Sequence, residues 1–166
     1  MTRLFRYILA SDTGMAPCID HGLVTLATCP RPHPRGLLVY AGRVGRILDV
    51  AAYERTHRGR SDAVYRESAD GTSARFRPDY HARPDEIRKD LSGPVLIFDK
   101  TATWYFGDRP RALPEDLSYL AAAGRSYRVN GASADDIVAF EVWLRANAAP
   151  GIIGHPSAMR RVRRCG

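Results

Sequence analysis

The sequence predicts an α+β fold built as a single domain, either a small mixed sheet or a partial barrel, with helices at its C-terminal end. Three observations lead there. A length of 166 residues is that of one ordinary domain, large enough to bury a sizeable core without disulfide or metal staples. Strand-like apolar runs and helix signals occur in the order strand, loop, strand, helix, hairpin, helix, helix, which is not the strict alternation of a parallel βαβ sheet. With 45% hydrophobic and 26% charged residues, the composition is that of a globular chain rather than a disordered or fibrous one.

Taken in order, Leu4-Phe5-Arg6-Tyr7-Ile8-Leu9-Ala10 is rich in β-formers and ends at Ser11-Asp12-Thr13-Gly14, a turn cluster, so it reads as a strand feeding a polar loop. The prolines at 30, 32 and 34 exclude regular helix or central strand there. Residues 37–44 read as a strand, and residues 47–57 as a helix with Val50, Ala51 and Tyr53 turned inward. The stretch 58–82 is polar, rich in Gly and Arg and without a period, which suggests a segment that wraps or covers a site. Val95-Leu96-Ile97-Phe98-Asp99 and Thr103-Trp104-Tyr105-Phe106-Gly107 read as a hairpin across the link Lys100-Thr101-Ala102. Pro114 with Glu115 and Asp116 opens a helix that Gly124 closes. Ser133 with Asp136 three residues on is an N-cap signal, and Ile137, Phe140 and Leu144 mark an apolar face bordered by Trp143.

Several function classes are excluded. Purely aliphatic or aromatic runs such as Val95-Leu96-Ile97-Phe98 stop far short of the ~18 residues that span a bilayer, so no membrane partner is expected and the location reads as cytoplasmic. Three cysteines with no CxxC give neither a disulfide framework nor a thioredoxin-like motif. There is no P-loop, GxGxxG, HExxH or GxSxG. The net charge is +7, but Arg160, Arg161, Arg163 and Arg164 carry four of those charges in a basic tail, residues 158–166, so the body, residues 1–157, is only mildly basic. Of 25 basic residues only Lys89 and Lys100 are lysine, and arginine's planar fork suits phosphate.

Chemistry is therefore sought by constellation. The loop with Asp12, Thr13 and Gly14 combines a carboxylate, a hydroxyl and a residue tolerant of positive φ, suited to an anion or a base edge, or simply to a capped surface turn. Around Tyr127, Arg125 and Arg128 would clamp phosphate, or stand solvated after a helix C-cap. The aromatics of Trp104-Tyr105-Phe106 are core or stacking platform. Cys18, His21, Cys29 and His33 form a Cys-x2-His and Cys-x3-His set of the type tetrahedral zinc accepts, although the spacing matches no standard finger; a zinc-stabilised interaction protein is the alternative it raises.

Taken together, Tyr7-Ile8-Leu9, Asp12-Thr13-Gly14-Met15-Ala16-Pro17 and Thr25-Leu26-Ala27-Thr28-Cys29-Pro30 resemble the opening of the second of the nucleotide-modification-associated domain families. Leu38-Val39-Tyr40-Ala41, Arg88-Lys89-Asp90-Leu91-Ser92-Gly93, Tyr105-Phe106-Gly107, Leu113-Pro114, Gly124-Arg125 with Arg128, and Gly154-His155-Pro156 follow in the family's order, so the resemblance covers residues 4–157. It implies a protein that binds or processes a base, modified or not, or a nucleotide, alone or in DNA; a non-catalytic reader of modified bases is the alternative. It also implies a likeness to small PUA or EVE-type barrels, which hold nucleobases. In such a pocket Asp12 would be general base or orienting carboxylate, and Thr13, Gly14 and Thr25 would line it. Tyr105 would stack on the base, Arg125 and Arg128 would hold phosphate, and Asn130 would read the base edge. The chain departs from the family where Arg35-Gly36 replaces a Gly-Asp-Trp strand, where Cys18 replaces Asn, and where Tyr127 replaces a His whose acid/base role is therefore not carried over.

Overall fold

The computed structural model describes residues 3–6, 18–20, 23–25, 36–60, 62–77, 83–121 and 132–157, with the backbone alone for 18–20 and 23–25. The fold is α+β, as expected. Its spine is a pair of long antiparallel strands, β4 (Tyr40–Leu48) and β7 (Val95–Tyr105), joined on the far edge of β7 by the short parallel strand β9 (Gly151–Ile152). The sheet is therefore mixed. Three two-stranded ladders surround it: β1 (Cys18–Asp20) with β2 (Leu23–Thr25), β3 (Leu37–Leu38) with β8 (Arg111–Ala112), and β5 (Tyr65–Glu67) with β6 (Ser73–Arg75). Among the described residues the sheets are open and none closes into a barrel.

The expected hairpin at 95–107 is instead one strand, β7. Opposite β4 the register jumps from Gly42↔Thr103 to Val44↔Phe98, so Asp99, Lys100, Thr101 and Ala102 form a bulge rather than a reversal. The Asp99 carboxylate accepts from the Thr101 amide (2.8 Å) and hydroxyl (2.7 Å), and the Thr103 hydroxyl donates to the Asp99 carbonyl (2.6 Å). Polar residues that look like a turn in sequence thus satisfy one another inside a bulge. The bulge also changes which residues face which core. Upstream, Ile97 packs with Tyr53 and Ala63; downstream, Ala102, Trp104 and Phe106 pack with Leu117, Leu120, Phe140 and Leu144.

Other elements differ from the sequence reading for local reasons. The strand expected at 37–44 is interrupted at Val39, whose carbonyl accepts from the amides of Phe106 and Gly107. It continues as β4 to Leu48, leaving Ile47 exposed in a strand rather than opening a helix. Helix α1 (Val50–His57) starts after Asp49, whose side chain caps the Ala52 amide. The polar stretch 58–82 contains the β5–β6 hairpin. Helix α2 (Pro84–Ser92) and β9 were not expected at all. Residues 115–121 form the expected helix opening as 3-10 turns, with Leu117 and Leu120 buried. Helix α3 (Ala134–Asn147) carries the full capping box of Ser133 and Asp136 and buries Phe140 and Leu144.

Candidate functional site

Three segments far apart in the chain meet at the C-terminal end of β7. Val39 receives the Phe106 and Gly107 amides, and the amides of Ile153 and Gly154 donate to the Tyr105 carbonyl. Asp108 and His155 then lock onto each other: the Asp108 amide donates to the His155 carbonyl, and the Asp108 carboxylate accepts the His155 amide, each at 2.8 Å. The crossing is possible only because two glycines face it. A Cβ at Gly154 would lie 1.9 Å from the Phe106 carbonyl oxygen, and one at Gly107, where φ is +53°, would lie 2.2 Å from the His155 carbonyl oxygen. The corner is fixed by backbone contacts on both sides.

Exposed chemistry surrounds this corner. Arg109 follows Asp108, with its amide bonded to the Phe106 carbonyl at 2.9 Å. Arg111 is held in β8 opposite Leu38, and its guanidinium centre lies 5.9 Å from the Phe106 ring. Both arginines are exposed, and neither forms an ion pair among the described residues. Asp108 and His155 are exposed on the same corner, which therefore carries two arginines, an imidazole and a carboxylate. Sequence reading missed Asp108, Arg109 and Arg111 because nothing in their spacing distinguishes a rim from a loop. The signal lay in the glycines of Tyr105-Phe106-Gly107 and Gly154-His155-Pro156, which the fold brings into contact.

The residues expected to bind ligand fall differently. Tyr105 ends β7 with 0% of its surface accessible, so its ring belongs to the core and offers no open stacking face; the stacking role expected for it is corrected. Thr25 lies in β2, paired with Cys18 of β1, and β2 runs against β7. Asp12, Thr13, Gly14, Arg125, Arg128 and Asn130 lie outside the described residues, as do His21, Cys29 and His33. Among the described residues no group of three or more His, Cys, Asp and Glu is placed to hold a metal ion. No described helix is long and apolar enough to cross a membrane.

A second polar cluster sits beneath α1. The Tyr53 hydroxyl donates to Asp62 (2.6 Å) and accepts from the buried Arg60 guanidinium (2.7 Å), while the Tyr53 ring stacks on His57 at 4.8 Å. Burial first, and the hydrogen bond to Asp62 second, push the Tyr53 hydroxyl well above the usual tyrosine range. It stays protonated and ties α1 to the turn that follows it, which is a structural task. No family model matches the chain, and neither a curated protein nor a solved structure matches it.

Proposed function

We propose that this chain binds or processes a nucleotide or a DNA base, modified or unmodified, with its phosphate held at the Gly107–Gly154 corner by Arg109 and Arg111. One observation carries the reading. Leu38-Val39-Tyr40-Ala41, Tyr105-Phe106-Gly107 and Gly154-His155-Pro156 are three of the blocks through which the sequence resembles the nucleotide-modification-associated family. Up to 118 positions apart in the chain, they are joined here by backbone hydrogen bonds, with exposed arginines at the rim. A guanidinium fork matches a phosphate bidentately, and two of them two residues apart suit a nucleotide better than a carboxylate ligand. Asp12, Thr13 and Gly14, with Thr25, Asn130, Arg125 and Arg128, complete the proposal as base and phosphate contacts. In a processing enzyme Asp12 is the general base. A cytoplasmic location belongs to the same proposal and agrees with the odd count of three cysteines and the lack of a CxxC motif.

The test is a thermal-shift panel of free bases, nucleosides and nucleotides. A ligand present at 100 times its Kd raises stability by about 2.7 kcal/mol. Replacing both Arg109 and Arg111 by Gln removes the shift given by phosphorylated ligands and preserves the shift given by the free base. A panel in which no member moves the wild-type midpoint overturns the proposal. Asp12→Asn then separates the two forms of it: turnover is lost and affinity kept in an enzyme, whereas only affinity changes in a reader.

A further inference from the structure

The β5–β6 hairpin carries an arrangement that the corner at Gly107 does not use. Phe76, just beyond β6, is 37% exposed, yet its amide is pinned to the Val64 carbonyl at 3.0 Å, so the ring is presented from a fixed backbone. The Arg66 guanidinium lies over that ring, 3.9 Å from its centroid, and Arg77 lies 5.6 Å from it. Arg66 is itself held from below, its Nε 3.9 Å from the Glu54 carboxylate, which is only 2% exposed and also pairs with Arg58 at 2.9 Å. The hairpin is stiffened at its tip, where Asp70 accepts from the Thr72 amide and hydroxyl and Gly71 takes φ +80°. The result is a guanidinium placed over an aromatic ring, with both partners held and both open to solvent.

We propose that this pair is a stacking platform for an unpaired base of single-stranded nucleic acid, with Arg77 beside the adjoining phosphate. The inference rests on the nucleotide reading above and specifies its substrate as a strand rather than a free nucleotide. Every base has a π-face, and both aromatic rings and arginine planes accept it whatever the sequence. Charge agrees with that occupant. Arg55, Arg58, Arg66, Arg75 and Arg77 lie on α1 and the hairpin, against Glu54, Glu67 and Asp70, of which Glu54 is buried. An aromatic ring under an arginine offers a base a stacking face, whereas an acidic peptide has no use for the ring.

The experiment is fluorescence anisotropy of a labelled single-stranded DNA 12-mer and its duplex at two salt concentrations, beside the nucleotide panel. Circular dichroism checks that each variant is folded. Phe76→Ala and Phe76→Leu are expected to weaken single-strand binding by roughly 5- to 100-fold, whereas Phe76→Trp keeps it within about twofold. Arg77→Gln lowers the slope of log affinity against log salt by about 0.7. Phe76→Leu binding as tightly as wild type overturns the inference, as does duplex binding that equals single-strand binding. Nucleotides that bind while the 12-mer does not overturn it and leave the corner intact. A Phe76-dependent 12-mer that binds where no small nucleotide does supports the platform and removes the corner.

Discussion

The two halves of β7 enter two different interiors. Downstream of the bulge, Trp104 and Phe106 sit in an apolar cluster with Leu117, Leu120, Phe140 and Leu144, with the Trp104 indole donating to the Ala148 carbonyl at 2.9 Å at its edge. Upstream, among the described residues, Ile97 packs with Tyr53 and Ala63, flanked by Leu48 and Val95, and the buried Arg60 and Glu54 and the half-buried Asp62 lie on this side. Apolar area is non-directional and tolerates small shifts, whereas a hydrogen-bonded network loses most of its value when one member is removed. One strand therefore joins a side that resists pH and salt to a side that depends on geometry and charge. The candidate corner grows from the apolar side and the proposed platform from the polar one.

The largest effect should come from breaking the apolar side. Trp104 is 1% exposed, and Trp104→Ala should cost about 3–5 kcal/mol, because it removes a large buried surface and leaves a cavity that the sheet and α3 cannot fill. Since β7 runs through both interiors, the loss should be global. Hydrogen exchange should show amides of β4, β7 and α3, and those of α1, losing protection by the same amount. Protection that falls only in α3 would mean that the two interiors unfold separately.

Tyr53→Phe strikes the polar side and should cost about 1–3 kcal/mol, since Arg60 and Asp62 lose the hydroxyl that bridges them. Here the loss should concentrate in α1 and the β5–β6 hairpin. It has a pH signature as well. In the folded chain the hydroxyl is held protonated above its ordinary value of about 10, so the native state binds more protons than the unfolded one at alkaline pH. The contribution is complete below pH 10 and declines as the pH rises beyond it. Urea midpoints measured from pH 9 upward should therefore fall in wild type and fall less in Tyr53→Phe.

The contrast also explains what sequence could and could not disclose. Helix α3 was legible down to its cap because Ser133, Asp136, Phe140 and Leu144 encode start and face locally. Helix α2 was not, because Ile87 and Leu91 alone make a stripe too thin to stand out from its charged neighbours. The bulge at 99–102 was misread as a turn because Asp99 and Thr101 make the same side-chain to backbone bonds in either setting, and only the partner strand decides between them. At the site, the sequence leaves Tyr105 open between core and stacking platform, and only the fold decides between them. Sequence gives residue type, while accessibility depends on Val39 and Ile153 arriving from elsewhere in the chain.

The smallest effect tests whether the apolar side has a charge-dependent device of its own. Hydrogen bonds from Tyr119 and then from Ser133 hold the Asp136 carboxyl below the usual aspartate range. A depressed value means that this contribution is present above the unfolded carboxylate's pKa of about 3.9 and is lost as the pH falls through the folded one. Ser133→Ala removes the hydroxyl that accepts from the Asp136 amide and donates to its carboxylate, and should cost about 1 kcal/mol at neutral pH. It should also raise the Asp136 pKa, read by carboxyl-carbon NMR titration, toward its ordinary value. The acid-induced loss of stability should then shrink between wild type and variant. Tyr53 shares the alkaline limb with Tyr119, which its hydrogen bond to Asp136 also holds above the usual tyrosine range, so the comparison is made on the part of that limb that Tyr53→Phe removes, and this part should stay where it was. A Ser133→Ala change that moved the Tyr53 part would show that the cap of α3 and the polar network under α1 are coupled through β7, and the division into two interiors would fail.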